Sequence, residues 1–463
     1  MKRFRIIKGQ IICLSIMTLF SFSCAVVRTP YSKTSYYQKT VLRLDSIKSK
    51  LTCINDSIYA GFARVSITPS LFNKEVNSEE GRFKKVPLAG FGERRGKSAT
   101  GIHDSIFVKA IALKEGRNIF VLVSADLLIM PPNIIDSVTI ILSRVGLHRD
   151  QIYFSATHSH SSLGGWAYGL IGKQFAGKEN KNVEKWLIKQ INKAILDAIA
   201  DLHPAKIGTG YFDASPYTRN RLVGDQGIKN DEFNFIVIEQ AGRKKAVIGS
   251  FSSHATTLGV KNLQLSADYP GYWERKIEEK TADLAMFCSG SVGSQSPECP
   301  GSEFECAKYI GDGLADSLIM HLDGVRMYNK QILSALSLKI FLPQYHIRLT
   351  QKINLTTGLS NRLMKLPKNV YLQGLRINNL VWIFTPGDFS GESAVQIKNS
   401  LKGKGFETII SSFNGTYVGY IIPSKYFNLN NYETKLMGWF GPTMGDYTID
   451  LIDQITNAII LCK

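Results

Sequence analysis

Long hydrophobic runs are missing from most of this sequence. After the first 25 positions there is no stretch of about 18 or more apolar residues, so no membrane-spanning helix is expected in the body of the chain. No segment repeats with a period of roughly 20 to 50 residues, which argues against a solenoid. The content of 44% hydrophobic and 20% charged residues is typical of a globular protein. The 463 residues could form one large domain or two to three ordinary ones.

Acidic residues are also scarce. The chain has 38 Asp and Glu against 56 Lys and Arg, which gives a formal net charge of +18. A basic excess suits nucleic acid or an anionic membrane surface as a partner. No nucleic-acid-binding motif accompanies the charge, so we expect no nucleic-acid partner. A solvated basic surface without a specific partner is the alternative.

The N-terminal 23 residues are predicted to be an export signal. A basic start precedes the apolar residues 11–22, which are too few to span a membrane comfortably. The small residue Ser23 then precedes Cys24, an arrangement similar to a loose lipobox. We therefore expect cleavage before Cys24, lipidation of its thiol, and export as a membrane-anchored lipoprotein in the periplasm or at the cell surface. An uncleaved anchor and plain secretion are the alternatives. Residues 24–57, rich in Ser, Thr and Lys, are predicted to be the lipid-attached tether, with some helix.

Cysteine is sparse. Of the seven cysteines, Cys13 leaves with the signal and Cys24 is the predicted lipid-attachment site. Five cysteines remain. Because this number is odd, at least one cysteine should be free or paired between chains. Cys299 and Cys306 are close enough in sequence to form a disulfide across a short loop in an oxidising compartment.

Strand and helix patterns alternate along the rest of the chain. Residues 119–126 form a nearly continuous apolar run of the kind found in buried strands. Residues 183–202 show apolar positions with the 3.6-residue period of a helix. Because no clear linker interrupts the pattern, we predict the α/β fold class, with a single large mixed α/β domain over residues 58–463. Further strands are predicted at 61–68, 106–113, 151–156, 233–239, 245–253, 283–287, 337–342, 370–377, 380–385 and 406–413, and helices at 131–145, 272–280 and 449–460.

The pair His158-Ser-His160 carries the most chemical information. It follows the predicted strand 151–156 and begins a loop rich in Ser and Gly. Residues two apart in an extended chain face the same side, so both imidazoles could point at one centre. Neutral imidazole is a good ligand for Zn²⁺. By spacing alone, two solvated loop histidines are the more frequent outcome.

Other reactive side chains also stand at the ends of predicted strands, where α/β folds build their sites. His254 ends one strand, and Ser296 follows another in a glycine-containing loop, where it could be a nucleophile. Asp388 offers a carboxylate and Tyr420 a phenol. Taken one at a time, each residue has a simpler interpretation. His254 could be a hydrogen-bonded histidine of the fold and the Ser296 loop an ordinary turn. Asp388 could be a solvated carboxylate and Tyr420 a tyrosine of the core.

Together, and in this order, these segments resemble the neutral/alkaline ceramidase family. The resemblance extends over residues 58–463. Its most specific element is Ala-Thr-His-Ser-His-Ser followed by a double glycine. The motifs that carry it are Gly101-Ile-His103, Ser155-Ala-Thr-His158-Ser-His160-Ser with Gly164-Gly165, Asn220-Arg221, Ser253-His254, Gly293-Ser-Gln-Ser296-Pro297, Pro386-Gly-Asp388-Phe, Gly419-Tyr420, and Tyr432 followed by Phe440-Gly441-Pro442-Thr443.

The resemblance implies a neutral-ceramidase-type catalytic domain with one zinc ion per chain. It assigns the metal ligands to His158, His254, Asp388 and Tyr420. It assigns the catalytic serine to Ser296, which either attacks the amide or positions an attacking water. The same comparison moves His160 from a second ligand to a supporting catalytic residue. The other residues implied around the reacting amide are His103, Arg221 and Tyr432.

The sequence departs from the family at two of these motifs. Asp388 stands where the family usually has glutamate, so the metal could shift or Glu392 could help. Ser294 stands where the family has a carboxylate, which bears on the orientation of Ser296. Full-length members also carry a C-terminal immunoglobulin-like domain with a further divalent-ion site, and we expect neither in this chain.

The implied activity is zinc-dependent hydrolysis of the N-acyl amide bond of ceramide or a related N-acyl lipid, giving sphingosine and a fatty acid in the case of ceramide. Alternatives are a hydrolase of other N-acyl compounds and a surface zinc protein that binds ligand but has lost catalysis. A metal-dependent esterase or phosphoesterase would need a two-metal site, for which too few carboxylates stand near the histidines. Trp166, Tyr168 and Leu170 could line the mouth of the substrate pocket or form a buried structural cluster.

Overall fold

Strands and helices alternate along the chain, as the hydrophobic pattern predicts. The computed structural model describes residues 23–26, 28–51, 53–363 and 367–462; apart from Ser23, the predicted signal peptide lies outside them. The strands are β1 (Ser23–Ala25), β2 (Ile54–Ser66), β3 (Gly101–Ile102), β4 (Phe107–Glu115), β5 (Asn118–Ala125), β6 (Ile152–Ala156), β7 (His203–Asp213), β8 (Thr218–Asn220), β9 (Glu232–Gln240), β10 (Lys245–Phe251), β11 (Gln264–Leu265), β12 (Leu284–Ser289), β13 (Gln295–Pro297), β14 (Lys330–Lys339), β15 (Ile353–Leu355), β16 (Tyr371–Ile377), β17 (Leu380–Phe384), β18 (Asp388–Phe389), β19 (Glu407–Ser411) and β20 (Tyr420–Ile421). The helices are α1 (Ser35–Lys48), α2 (Pro132–Ser143), α3 (Gly169–Ala176), α4 (Lys181–Ala200), α5 (Asp268–Lys280), α6 (Glu303–His321), α7 (Thr357–Leu363), α8 (Gly391–Lys402) and α9 (Met444–Leu461).

The main sheet of the described chain has three arms that meet at the long strand β2. The first arm runs from β2 through β4 and β5 to β6. The second runs through β7, β9 and β10 to β12, and the third through β14, β16 and β17 to β19. Each arm ends in a parallel pair: β5 with β6, β10 with β12, and β17 with β19. Parallel pairs need both faces covered, so these arms must be buried on two sides.

One apolar core lies between the three arms, and helices cover their outer faces. Leu122, Ile248 and Trp382 come from different arms and belong to the same buried cluster. Removing a side chain of this size from water contributes roughly 1.5–3 kcal/mol. Outside, α2 and α4 pack on the first arm, α5 and α6 on the second, and α1, α8 and α9 on the third. The resulting α/β domain confirms the predicted fold class.

Buried serines join the arms where their last strands meet. Ser124 Oγ donates to the carbonyl of Phe287 at 2.5 Å, and Ser155 Oγ donates to the carbonyl of Ser412 at 3.3 Å. The backbone N–H of Ser412 donates to the carbonyl of Ser289 at 3.0 Å. These bonds satisfy polar backbone groups that would otherwise be buried without partners. They also bring the carboxyl ends of three parallel strand pairs to one end of the domain.

The predicted tether, residues 24–57, contains ordered structure that contacts the domain. Thr40 of α1 forms a 2.8 Å hydrogen bond with the hydroxyl of Tyr447, and Leu44 is fully buried. Cys24 lies in β1, which pairs with β15. Strand β2 begins within the same segment, four residues before the predicted domain boundary at residue 58. Among the described residues, no helix has the length and apolarity needed to cross a membrane.

Two disulfides are present in the described chain. Cys299–Cys306 confirms the pairing that the sequence predicts. Cys53–Cys462 was not predicted; it joins the start of β2 to the residue that follows α9, across a separation of 409 residues. Cys288 is a free, buried thiol on β12. A pairing over so long a separation depends on the fold and leaves no sign in cysteine spacing.

Strand β7 and helix α6 are two of the elements absent from the sequence prediction. Both contain glycines, which lower the propensity for strand and helix alike. In α6, Gly311 lies against α5, and a Cβ at this position would overlap the carbonyl of Tyr269. In β7, a Cβ at Gly210 would overlap the ring of Phe235. Close packing explains these glycines, and it becomes visible only once the neighbouring elements are in place.

Candidate metal centre and active site

Five of the predicted site residues follow the parallel strands that end the three arms. His158 follows β6, His254 follows β10, and Ser296 lies shortly after β12. Asp388 follows β17, and Tyr420 follows β19. Because the serine-linked arms converge at their carboxyl ends, residues from distant parts of the sequence enter one region.

His158 and His254 are held in the same way. The Nδ1 atom of His158 lies 2.6 Å from the carbonyl of Leu128, and Nδ1 of His254 lies 2.8 Å from the carbonyl of Gln295. A carbonyl can only accept, so Nδ1 carries the proton in both rings and Nε2 carries the lone pair. His158 also has a left-handed backbone (φ 60°), which is uncommon for a residue other than glycine. Both imidazoles are thus prepared as metal ligands through Nε2.

Asp388 supplies a carboxylate oxygen between these two nitrogens. Its Oδ1 lies 3.5 Å from Nε2 of His158 and 3.3 Å from Nε2 of His254. Oδ1 is buried and has no hydrogen-bond partner within the described parts of the chain. Lone pairs that face one another at this distance repel unless a cation lies between them. A zinc ion with ligands at about 2.0–2.1 Å in a tetrahedron separates them by about 3.3 Å, so the donor set fits zinc.

Tyr420 completes the group. Its hydroxyl lies 3.0 Å from Nε2 of His254. Strands β18 and β20 are parallel, with Asp388 and Tyr420 as register partners. Gly387 permits this close approach, because a Cβ there would overlap the carbonyl of Gly419. The structure therefore brings together all four residues that the resemblance assigns to the metal.

His160 enters the same region but is held differently. Its Nε2 lies 3.2 Å from Nε2 of His158, and the three histidines offer nitrogens within 4.8 Å of one another. Its Nδ1 is buried and has no partner among the residues described. No backbone carbonyl therefore fixes this ring, which is packed 4.9 Å from that of Phe91. By distance His160 could bind a metal, but it lacks the support that the other two rings receive.

Arg221 places a positive charge beside the donor group. Its Nη2 donates to the hydroxyl of Tyr420 at 2.7 Å and lies 3.2 Å from Nε2 of His254. Its Nε is 2.8 Å from Oε1 of Glu433, which is almost fully buried. The carboxylate thus neutralises the guanidinium. Sequence reasoning found Arg221 but missed Glu433, because no spacing rule links the two.

Burial dominates the electrostatics of the centre. Desolvation lowers the pKa of His158 to about 3, against the opposing effect of Asp388. Burial, assisted by neighbouring positive groups, lowers the pKa of His160 and of His254 well below the usual value. It raises the pKa of Asp388 and that of Tyr420. The imidazoles are therefore neutral, which is the form that binds metal, whereas a bound dication favours the ionised carboxylate and phenolate.

Ser296 lies in the short strand β13, which pairs with β8. Gln295, its neighbour in sequence, supplies the carbonyl that holds His254. The Ser296 hydroxyl accepts a 3.3 Å hydrogen bond from Nε of Arg219. The Ser294 hydroxyl accepts from the N–H of Gly391 at 3.0 Å, at the start of α8. Ser294 therefore ties the Ser296 loop to the Asp388 loop through a neutral hydroxyl.

Two other predicted residues have contacts elsewhere. Nε2 of the exposed His103 lies 2.9 Å from the Tyr272 hydroxyl, and its ring stacks on Phe304 at 3.7 Å. These contacts are with α5 and α6, so its role at the reacting amide stays a prediction. Glu392, considered as a helper for Asp388, receives a 2.8 Å hydrogen bond from Tyr426.

A cavity of about 340 Å³ opens beside the donor group. His158, His160 and Tyr420 form part of its wall. Tyr432 also lines it; its ring stands edge-on to Tyr420 at 5.9 Å, and 42% of the residue is exposed. Trp166 and Tyr168 line the cavity, which was one of the two alternatives for these residues, whereas Leu170 is 67% exposed and is not part of the wall. The apolar wall is formed by Leu128, Ile129, Trp166, Ile171, Phe175, Met437 and Trp439.

The site defines a candidate metal-binding protein. Buried imidazole, carboxylate and phenol groups converge beside an apolar cavity in a mixed α/β domain. Residues 80–313 match the family described as neutral/alkaline non-lysosomal ceramidase, N-terminal. This match covers half of the chain, and the chain belongs to that family.

Individual relatives agree with the family match. Neutral ceramidase A of Dictyostelium discoideum is 26% identical over 176 residues, which is 33% of this chain and 24% of that protein. The matched region thus spans about a quarter of that relative's length. A structure described as ceramidase complexed with C2 superposes with a TM-score of 0.75 at 16% identity, and neutral ceramidase from Pseudomonas aeruginosa with 0.70 at 18%. Each covers 88% of this chain and 75% of the other, so the fold is shared across most of both.

Proposed function

We propose that this chain is a zinc-dependent amidohydrolase that cleaves the N-acyl amide bond of ceramide or of a related N-acyl lipid. The observation that carries the proposal is the convergence of His158, His254, Asp388 and Tyr420. Two of them, His158 and Tyr420, also line an apolar cavity. Membership of the ceramidase family supports the reaction class. With ceramide the products are sphingosine and a fatty acid.

The proposed metal ligands are the Nε2 atoms of His158 and His254, Oδ1 of Asp388 and the phenol oxygen of Tyr420. Zinc bound there supplies a Lewis acid that polarises the amide carbonyl. His158, His160 and His254 are close enough to bind one metal ion together. A ligand set that includes His160 is therefore the alternative. The carbonyl-anchored rings of His158 and His254 favour the first set.

The chain itself supplies charge, proton transfer and a nucleophile. Arg221, held by Glu433, presents a guanidinium that can stabilise the oxyanion of a tetrahedral intermediate. His160 has an unanchored, neutral ring at the cavity wall; it is suited to take the proton of the attacking hydroxyl and to pass it to the leaving amine. Ser296 is the proposed nucleophile, which forms an acyl-enzyme that water then hydrolyses. Direct attack by water, with Ser296 positioning it, uses the same residues.

The apolar wall of the cavity suits the alkyl chains of a lipid. Indole, benzyl and aliphatic side chains such as Trp166, Phe175 and Ile171 stand beside the groups that would act on the amide. Burying an alkyl chain contributes roughly 0.8 kcal/mol for each methylene removed from water. A hydrophilic N-acyl compound would lack this gain, and we therefore favour a lipid substrate.

A membrane surface is the proposed source of that lipid. Leu170 and Leu436 are 67% and 61% exposed, and each adjoins a residue of the cavity wall. Exposed leucines beside a cavity mouth can enter the interfacial layer of a bilayer, and basic residues such as Lys173 favour anionic lipid. Export and lipidation at Cys24 would keep the enzyme at that surface. Loss of vesicle binding in Leu170→Asp with Leu436→Asp would support this part of the proposal.

The deciding experiment measures metal content and hydrolysis on the same preparation. The purified chain should contain about one zinc and should release fatty acid from N-acyl sphingosines of several chain lengths. A chelator should abolish cleavage, and added zinc should restore it. His158→Ala is the matched control and should lose both zinc and cleavage. A chain without zinc would contradict the proposed mechanism.

A second candidate is a zinc protein that binds an N-acyl ligand without cleaving it. Position 294 offers no carboxylate to orient Ser296, because it is a serine. The hydroxyl of Ser294 accepts a hydrogen bond from the N–H of Gly391 instead. Zinc together with ligand binding, but without cleavage of any N-acyl sphingosine or other N-acyl compound, would favour this candidate.

A further inference from the structure

The two oxygens of Asp388 have different partners. Oδ1 faces Nε2 of His158 at 3.5 Å and Nε2 of His254 at 3.3 Å. Oδ2 accepts a hydrogen bond from the hydroxyl of Tyr417 at 2.6 Å. The carboxylate is fully buried, so no bulk water competes for either oxygen. One oxygen is therefore committed to a phenol and the other is directed at the histidines.

Tyr417 is itself fixed by its neighbours. Its ring stands edge-on to Trp439 with centroids 5.6 Å apart, and it lies 6.2 Å from the ring of Phe413. Phe413 in turn stacks on His158 at 4.3 Å. The Tyr417 hydroxyl therefore reaches Asp388 from a rigid aromatic wall, in the loop that also supplies Tyr420.

The backbone limits the movement of Asp388. Its N–H donates to the carbonyl of Gly419 at 3.0 Å, and the residue is the register partner of Tyr420. An aspartate has only two side-chain torsions, and the terminal one is broad in energy. The hydrogen bond from Tyr417 removes that remaining freedom, because it fixes the plane of the carboxylate.

We propose that Tyr417 is a positioning residue of the metal site, whose hydroxyl holds Oδ2 of Asp388 so that the carboxylate offers Oδ1 alone to the metal. This inference rests on the metal site of the proposed function. Aspartate has a shorter side chain than the glutamate that is usual in the family. Rotation about its terminal torsion would turn both oxygens away from Nε2 of His158 and Nε2 of His254, so Asp388 gains from such support. Partners of this kind commonly set metal affinity by orienting the ligand.

Tyr417→Phe tests the inference, since it removes one oxygen atom and keeps the ring between Phe413 and Trp439. Zinc affinity is measured by equilibrium competition with a chromophoric chelator, and the visible spectrum of the Co²⁺-substituted protein reports ligand geometry. We expect zinc binding to weaken about 10- to 100-fold and the Co²⁺ bands to shift. Thermal unfolding of the metal-free variant should still show one cooperative transition, so that the weaker zinc binding is not a result of unfolding.

Tyr426→Phe is the matched control. Tyr426 also donates a hydrogen bond to a buried carboxylate, that of Glu392, at 2.8 Å. Glu392 lies only four residues after Asp388. This variant should bind zinc as the wild type does and keep its Co²⁺ spectrum.

Unchanged zinc affinity in Tyr417→Phe would overturn the inference, and so would an equal loss in both variants. Failure of the proposed function has a different signature. In that case the wild-type chain would bind no zinc, or would bind zinc and cleave no N-acyl lipid, whatever the behaviour of Tyr417→Phe.

Discussion

His158 and His160 lie two residues apart and face each other through Nε2 at 3.2 Å, but only His158 has its Nδ1 anchored on a carbonyl. His160 Nδ1 is buried without a hydrogen-bond partner in the described structure. Two imidazoles of one motif thus have different supports. The anchored ring is prepared for ligation, whereas no carbonyl fixes which nitrogen of the unanchored ring carries the proton.

Replacing these histidines one at a time should separate metal binding from catalysis. His158→Ala should lose zinc on dialysis, because it removes an oriented ligand from the fourfold donor set. His160→Ala should keep zinc while kcat falls by about 10²- to 10⁴-fold, the usual contribution of a proton-transfer group. Metal analysis and steady-state kinetics on the same samples provide the check. Loss of zinc from His160→Ala would instead assign that ring to the metal.

Ser296→Ala distinguishes the two proposed modes of attack. If Ser296 forms the acyl-enzyme, kcat should fall by at least about 1,000-fold, as for other nucleophilic serines. Zinc content should not change. Ser294→Ala is the control in the same loop; it removes the hydrogen bond to Gly391 and should reduce thermal stability more than turnover. Near-normal turnover in Ser296→Ala would rule out the nucleophilic role.

Asp268 should make stability depend on pH. Burial raises the pKa of this carboxyl from 3.8 to about 6, although Thr257, Leu258 and Tyr269 donate hydrogen bonds to it. The folded state therefore holds the proton more tightly than the unfolded state. The stabilisation is complete below about pH 3.8 and is lost as the pH rises through about 6.

The size of this effect can be measured against Asp268→Asn. Two pKa units correspond to about 3 kcal/mol, so the free energy of unfolding of the wild type relative to the variant should fall by roughly that amount between about pH 4 and about pH 7. Urea unfolding at a series of pH values provides the measurement. Parallel stability curves for the two proteins would contradict the prediction.

The two disulfides should contribute unequally to stability. Cys53–Cys462 closes a separation of 409 residues, whereas Cys299–Cys306 closes 7. A cross-link restricts the unfolded chain more when the loop is longer, so Cys53→Ser should cost about 2–5 kcal/mol and Cys299→Ser less. Thermal unfolding under oxidising conditions tests the order. A reductant should bring the wild type and both variants close together.

The sequence alone determined the α/β class, most of the strands of the three arms, and the candidate residues at their ends. It could do so because alternating and continuous apolar patterns report burial, and because His158, His254, Asp388 and Tyr420 sit in recognisable local motifs. Elements whose glycines serve packing, such as β7 and α6, gave no comparable signal. The Cys53–Cys462 pairing was likewise invisible, since the partners are brought together only by the closing helix.

Only the tertiary structure shows which contacts hold the site residues in place. Spacing made His158 and His160 equal and the family resemblance separated them, but only the structure shows the carbonyl of Leu128 that anchors His158. Glu433 pairs with Arg221, and Tyr417 bonds to Asp388. Both pairs are distant in sequence and have no periodic relation. Local patterns follow from short-range backbone geometry and burial. Hydrogen-bond direction between distant loops depends on how three sheet arms converge, and no sequence periodicity records that geometry.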